Sequence, residues 1–178
     1  MLFVLGQFGC CVLTVGGIGL LAHILGEALP RGAFDWTRFP YAPYAWEQDG
    51  KFYSKLRIER WKNRLPDKSK FVKSTVEKSI RASGRTAAHM ERLVQETCVA
   101  ECVHWALLLV SPVLLLTMEG PWNILMTILY GLSNLPFIMI QRYNRPRLVK
   151  MLHRMGRPAQ TFHKEGEIRH EAADSVLQ

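Results

Sequence analysis

The chain has 178 residues and a formal net charge of +8, enough length for one domain with a real core. Its mean hydropathy is close to zero, but the apolar residues are concentrated in long segments, which excludes an ordinary soluble domain. Basic residues flank those segments, where anionic phospholipid headgroups are the nearest partner, so the charge does not indicate a nucleic-acid binder.

In chain order, Leu2 to Leu25 contain no Asp, Glu, Lys or Arg. A membrane-spanning helix needs about 20 apolar residues, so 1–25 is read as the first transmembrane helix. No basic residue precedes it as in a signal peptide, so it is expected to stay attached. Residues 29–46 follow with six aromatics and three prolines, which argue against a regular helix. Trp and Tyr favour the headgroup layer, so this stretch is expected either along the membrane surface or packed on the protein. Residues 51–67, "KFYSKLRIERWKNRLPD", read as one helix ended by Pro66. Phe52 and Leu56 share one side and Ile58, Trp61 and Leu65 another, a pattern for contact with both lipid and protein. A second short helix is predicted over Lys70–Ala82, and a third from about Thr86 into the next span. Residues 26–95 thus form a cytoplasmic or interfacial helical region.

Val103–Met118 and Trp122–Ile140 are again free of Asp, Glu, Lys and Arg. The Glu119-Gly120-Pro121 turn makes them antiparallel neighbours in a hairpin over 96–150, with a mobile tail over 151–178. Pro136 is expected to kink the last span and Pro146 to end it. The block from Gly26 to Cys102 holds 15 Lys/Arg against 10 acids, and the chain from Gln141 onward 8 against 4. Basic loops stay cytoplasmic. The fold class is therefore an all-α integral membrane protein of three transmembrane helices, N-terminus out and C-terminus in, with a cytoplasmic helical insertion between helices 1 and 2. Such a chain is a multi-pass protein of the cell membrane.

The polar residues inside these spans carry the functional signal. Thr97, Glu101 and His104 fall within about 60° of one another on a helix, with Ser111 further along and Glu96 at the edge. Ionisable residues at a membrane boundary usually face a protein interior or a wet cavity. A Glu three residues before a His can fix one imidazole nitrogen and leave the other to accept a proton. The same residues allow a plainer reading, in which Glu96 and Glu101 pair with arginines and His104 marks the interface. In the third span Asn123, Thr127, Tyr130, Asn134 and Gln141 form a second polar seam. That seam can either face the first stripe across a site or simply bond helix to helix. Both stripes converge near Arg142, Arg145 and Arg147 in "QRYNRPRL" (141–148).

Cys10 and Cys11 are adjacent in the first span; Cys98 and Cys102 fall on the cytoplasmic side, where thiols stay reduced, so all four are expected to be small buried residues. Cys98 and Cys102 share a face from which His104 is turned away, so no metal site is expected. No P-loop, dinucleotide fingerprint or nucleophile elbow is present.

The stretches "KFYSKLRIERWKNRLPD" (51–67), "ETCVAECVHW" (96–105) and "NLPFIMIQRYNRPRL" (134–148) resemble the family of glycosyl-4,4′-diaponeurosporenoate acyltransferases. The resemblance implies transfer of a fatty acyl group to a sugar hydroxyl of a membrane glycolipid, a glycosyl carotenoid or a relative. It fits the reading of the residues, in which His104 is the general base, oriented by Glu101 with Glu96 nearby. Arg142, Arg145, Asn134 and Asn144, with Gln141 and Tyr143 beside them, are then expected at the substrate, stabilising an oxyanion or holding a phosphate. No resident cofactor is expected. The co-substrate is an anionic acyl donor: acyl-CoA, an acyl carrier protein or a phospholipid. This reading requires an open cavity lined by His104, and three thin spans would gain cavity wall from a second copy in a homo-oligomer. The competing reading is a non-catalytic lipid-binding or assembly protein whose polar seams only hold helices together.

Overall fold

The computed structural model describes residues 2–64, 87–117 and 119–156, and every regular element among them is helical. Helix α1 (Leu2–Ala28) leads through 3-10 turns at Arg31–Ala33 and Ala45–Glu47 to two short helices, α2 (Lys51–Lys55) and α3 (Ile58–Trp61), and a further 3-10 turn at Lys62–Arg64. Helix α4 (Ala87–Val110) continues as a 3-10 segment (Ser111–Leu116), and α5 (Pro121–Ser133) and α6 (Leu135–Met155) are the last elements among the described residues. Three stretches are long and apolar enough to cross a membrane, Gly6–Ala28, Ala87–Leu116 and Pro121–Met155. These are the three spans expected from the sequence. The helix predicted over Lys70–Ala82, the stop at Pro66 and most of the 151–178 tail lie outside the described residues.

Prolines set the interruptions. Pro112 has no N–H for the Leu108 carbonyl; the Ser111 hydroxyl donates to that carbonyl at 2.8 Å, and α4 tightens into its 3-10 extension there. Pro136 separates α5 from α6 at Asn134, as expected. Pro146 does not end the helix: α6 runs through it to Met155, nine residues beyond the expected stop. An interior proline costs about 3 kcal/mol, and the burial of Ile140, Tyr143 and Arg145 against the rest of the fold offsets it. The last span is 35 residues, about 52 Å at 1.5 Å per residue, against a hydrocarbon layer of about 30 Å. The polar half of α6 from Gln141 onward therefore projects past the apolar layer.

The expected helix over 51–67 is bent instead. Arg57 adopts φ 52°, a left-handed residue that separates α2 from α3. In a straight helix Tyr53 and Ile58 would point about 140° apart. The bend lets both bury against Ile140 and Tyr143 of α6, with Trp61 alongside, while Phe52 and Leu56 stay exposed. Upstream, the aromatic loop divides in two. Phe34, Trp36 and Tyr41 pack around Cys98 and Val99 of α4, whereas Phe39, Tyr44, Trp46 and Phe52 form an exposed series of contacting rings. The turn after Glu47 has three consecutive positive φ values (Gln48, Asp49, Gly50) and seats Gly50 against the Tyr143 carbonyl and Pro146.

Helices α4 and α6 make the most extensive helix pair, antiparallel, and α5 lies along the 3-10 extension of α4. That second contact is close enough that a Cβ on Gly131 would stand 3.0 Å from the Ser111 hydroxyl. Of the cysteines, Cys11 and Cys98 are buried, but Cys10 is exposed on the outer side of α1, contrary to expectation, because adjacent helical residues point about 100° apart.

Candidate active site

Where α4 crosses α6, four charged side chains are buried together. Glu101 and Glu47 are 1% and 2% exposed, Arg142 and Arg145 6% and 3%. Arg142 donates from Nη1 to Glu101 Oε1 at 2.6 Å, and Arg145 from Nη2 to Glu101 Oε2 at 2.5 Å, so one carboxylate bridges two guanidinium groups. Arg142 also grips Glu47 through Nε and Nη2 and donates to the Pro40 and Ala42 carbonyls. Its five N–H groups are thereby all engaged. Arg145 donates to the Thr97 hydroxyl and carbonyl and, from Nη1, to the Tyr41 carbonyl at 2.7 Å. Buried charges persist only when paired and hydrogen-bonded, and two carboxylates against two guanidiniums meet that condition. The cluster clamps the 36–47 loop onto the α4–α6 pair.

Glu47 gave no periodic signal in the sequence, because it lies between the aromatic loop and α2. It also accepts from the Tyr53 hydroxyl at 2.5 Å and the Tyr44 backbone N–H at 2.9 Å. The only local hint is the Gln-Asp-Gly turn that immediately follows it.

These contacts change the expected role of Glu101. Both its oxygens hold arginines, and Nδ1 of His104 meets Oδ1 of Asn134 at 3.0 Å instead. Asn134 donates its amide N–H to the Tyr130 carbonyl at 2.9 Å, which turns Oδ1 toward the imidazole. An amide oxygen only accepts, so Nδ1 carries the proton and Nε2 is the basic nitrogen. The ring is further held by stacking on Phe137, centroids 4.6 Å apart and 9° from parallel. His104 is half-buried, one helical turn beyond Glu101, beside an exposed Trp105.

The remaining sequence candidates fall into separate places. Glu96 pairs with Arg31 at 2.9 Å, tying the turn after α1 to α4, as the plainer reading expected. Asn144 accepts from Lys62 at 3.4 Å, and the buried Tyr143 donates its hydroxyl to Glu59 while Arg147 covers its ring at 3.5 Å. Gln141 is half-buried beside Arg142. In the α5 seam, Thr127 bonds the Asn123 carbonyl and Asn123 the Leu115 carbonyl, so these groups stabilise helices.

A cavity of about 310 Å³ opens between the 36–49 loop and the polar half of α6. Arg142 and Arg145 line it, together with Lys150 and His153, which sequence reasoning missed because they follow the expected helix end. His104 is not among its lining residues, contrary to the requirement drawn from the sequence. Outside the spans, burial raises the Tyr41 and Tyr53 hydroxyls above the ordinary range, and for Tyr53 the bond to Glu47 adds to the effect.

Comparison with known proteins gives one consistent family. The profile of the glycosyl-4,4′-diaponeurosporenoate acyltransferases matches residues 37–154, which include the charged cluster, His104 and all of the cavity lining but Trp36. Curated proteins of that name from Staphylococcus aureus strains MRSA252 and USA300 are each 30% identical over 131 residues, 72% of this chain and 77% of theirs. The protein from strain bovine RF122 / ET3-1 is 29% identical over the same share of both chains. No solved structure matches.

Proposed function

The chain belongs to the glycosyl-4,4′-diaponeurosporenoate acyltransferase family, and from that membership we propose that it transfers a fatty acyl group to a sugar hydroxyl of a membrane glycolipid. The acceptor is a glycosyl carotenoid or a related glycolipid, and the reaction runs at the cytoplasmic face of the cell membrane, where the basic loops lie. The observation that carries the mechanism is the His104–Asn134 pair, which puts the proton of the neutral ring on Nδ1 and makes Nε2 its accepting nitrogen.

A sugar hydroxyl is a weak nucleophile, and a positioned base contributes about 10²–10⁴-fold by taking its proton. Nε2 of His104 removes the hydroxyl proton as the oxygen forms its bond to the acyl carbon of the donor. The bond from that carbon to the donor's sulfur or oxygen then breaks, and the leaving atom takes the proton back from the imidazolium. Asn134 keeps Nδ1–H aimed away from the substrate and Phe137 fixes the ring plane, so His104 meets the hydroxyl in one orientation. The Glu47–Arg142–Glu101–Arg145 cluster acts one turn away as the support that holds α4 and α6 in register.

The test is lipid mass spectrometry of cells expressing the wild type or His104→Ala. An acylated glycolipid present with the wild type and absent with an inserted, folded His104→Ala protein is the expected result. Undiminished product from His104→Ala would exclude it as the base.

A further inference from the structure

We propose that the cavity beside the polar half of α6 binds the phosphate-bearing arm of a long acyl thioester, the donor in the transfer; this rests on His104 as the reaction centre. Besides Arg142, whose N–H groups are all engaged, three basic side chains line the cavity. Arg145 is 3% exposed, and one of its two Nη1 protons has no acceptor among the described residues, since the Tyr41 carbonyl takes the other. Lys150 and His153 follow at five and eight residues along α6 and are exposed to solvent. Guanidinium, ammonium and imidazole groups together suit a phosphate.

Two carboxylates also line the cavity. Glu47 is held on both oxygens by Arg142, Tyr53 and the Tyr44 N–H and is already neutralised. Asp49 sits 3.6 Å from Lys150, with the two side chains 61% and 60% exposed. An exposed pair of this kind contributes little, so a phosphate displaces Asp49 from Lys150 at small cost. Trp36, Pro43 and Val149 supply an apolar wall for the uncharged part of the arm.

The spacing along α6 selects among donors. Arg145 is eight residues beyond Phe137, the stacking partner of His104, which is about 12 Å of helix. In a phospholipid about five bonds separate phosphate from ester carbonyl, roughly 6 Å when extended. In a phosphopantetheine thioester about fourteen bonds separate them, roughly 16 Å. Only the longer arm places its phosphate in the cavity with its acyl carbon at His104. The cavity and the histidine are then two ends of one donor site.

The experiment uses the full-length protein in detergent, with equilibrium binding and transfer measured for three donors: an acyl-CoA, the same acyl chain on pantetheine without phosphate, and phospholipid vesicles. Lys150→Glu and His153→Asp, both at exposed positions, are the variants. The expected result is that each weakens acyl-CoA binding about tenfold, leaves acyl-pantetheine binding unchanged, and that vesicles alone support no transfer. Equal binding of the two thioesters by the wild type, or transfer from vesicles alone, overturns the proposal. His104→Ala separates the two readings. Normal acyl-CoA binding without turnover supports both, whereas normal binding with full turnover removes the base assignment and the spacing argument with it, and phosphate binding in the cavity is then decided by the comparison of the two thioesters.

Discussion

Nδ1 of His104 on α4 lies 3.0 Å from Oδ1 of Asn134, the residue at which α5 gives way to α6. The asparagine occupies that position because Pro136 interrupts the last span, and its own amide is anchored on the Tyr130 carbonyl. A proline break thus supplies the acceptor that selects the histidine tautomer. Asn134→Leu removes the acceptor and lets the ring adopt either tautomer. Steady-state kinetics should show kcat lowered about 10- to 100-fold with KM little changed, the signature of a positioning residue. Asn134→Asp keeps an oxygen facing Nδ1 and should retain more activity than the leucine variant. Equal losses in both would assign Asn134 to packing alone.

Arg142 offers five N–H groups and all five have acceptors, three of them oxygens of the buried carboxylates Glu47 and Glu101. Arg142→Met leaves part of that negative charge unpaired, and breaking a buried pair in this way costs about 3–5 kcal/mol. Arg142→Lys keeps the charge but has three donors on one nitrogen, so it should fall between methionine and wild type. Thermal unfolding in detergent, followed by far-UV circular dichroism, orders the three proteins. Wild-type stability in Arg142→Met would contradict the clamp.

How far the sequence reached depended on which contacts are local. Three apolar segments and two polar stripes were legible, because polar side chains inside a membrane are costly and helical spacing groups them on faces. Glu101 falls beside "QRYNRPRL", and of its two open readings the plainer one, pairing with arginines, is the one the fold bears out. Three-residue spacing on one helix favours Glu101 with His104, while the fold gives Glu101 to Arg142 and Arg145 and His104 to Asn134. Glu47 was illegible because its partner Arg142 is 95 residues away and its own segment has no period. The bend at Arg57 was equally hidden, since arginine carries no preference for positive φ.

The contact between Gly131 of α5 and Ser111 permits a test of how tightly the hairpin closes. A Cβ at position 131 would stand 3.0 Å from the serine Oγ but 3.6 Å from its Cβ. Gly131→Ala should therefore destabilise the protein by about 1–2 kcal/mol through overpacking. Adding Ser111→Ala removes the hydroxyl and leaves an ordinary contact, so the double variant should regain most of that loss. Additive effects in thermal unfolding would mean that the two residues do not meet.

Tyr53 gives the prediction that depends on pH. Burial and its hydrogen bond to Glu47 raise the hydroxyl above the ordinary value of 10.0, so the folded state favours the neutral phenol. With the folded value above the unfolded one, the stabilisation is fully present below pH 10 and declines as pH rises through the folded value. Tyr53→Phe lacks the hydroxyl and should be less stable by about 1.5–3 kcal/mol near neutrality, the range for a hydrogen bond to a charged group. As pH is raised above 10, the wild type should lose stability faster than Tyr53→Phe, and the gap between them should narrow. A gap that stays constant across that range would place the hydroxyl proton outside the Glu47 network.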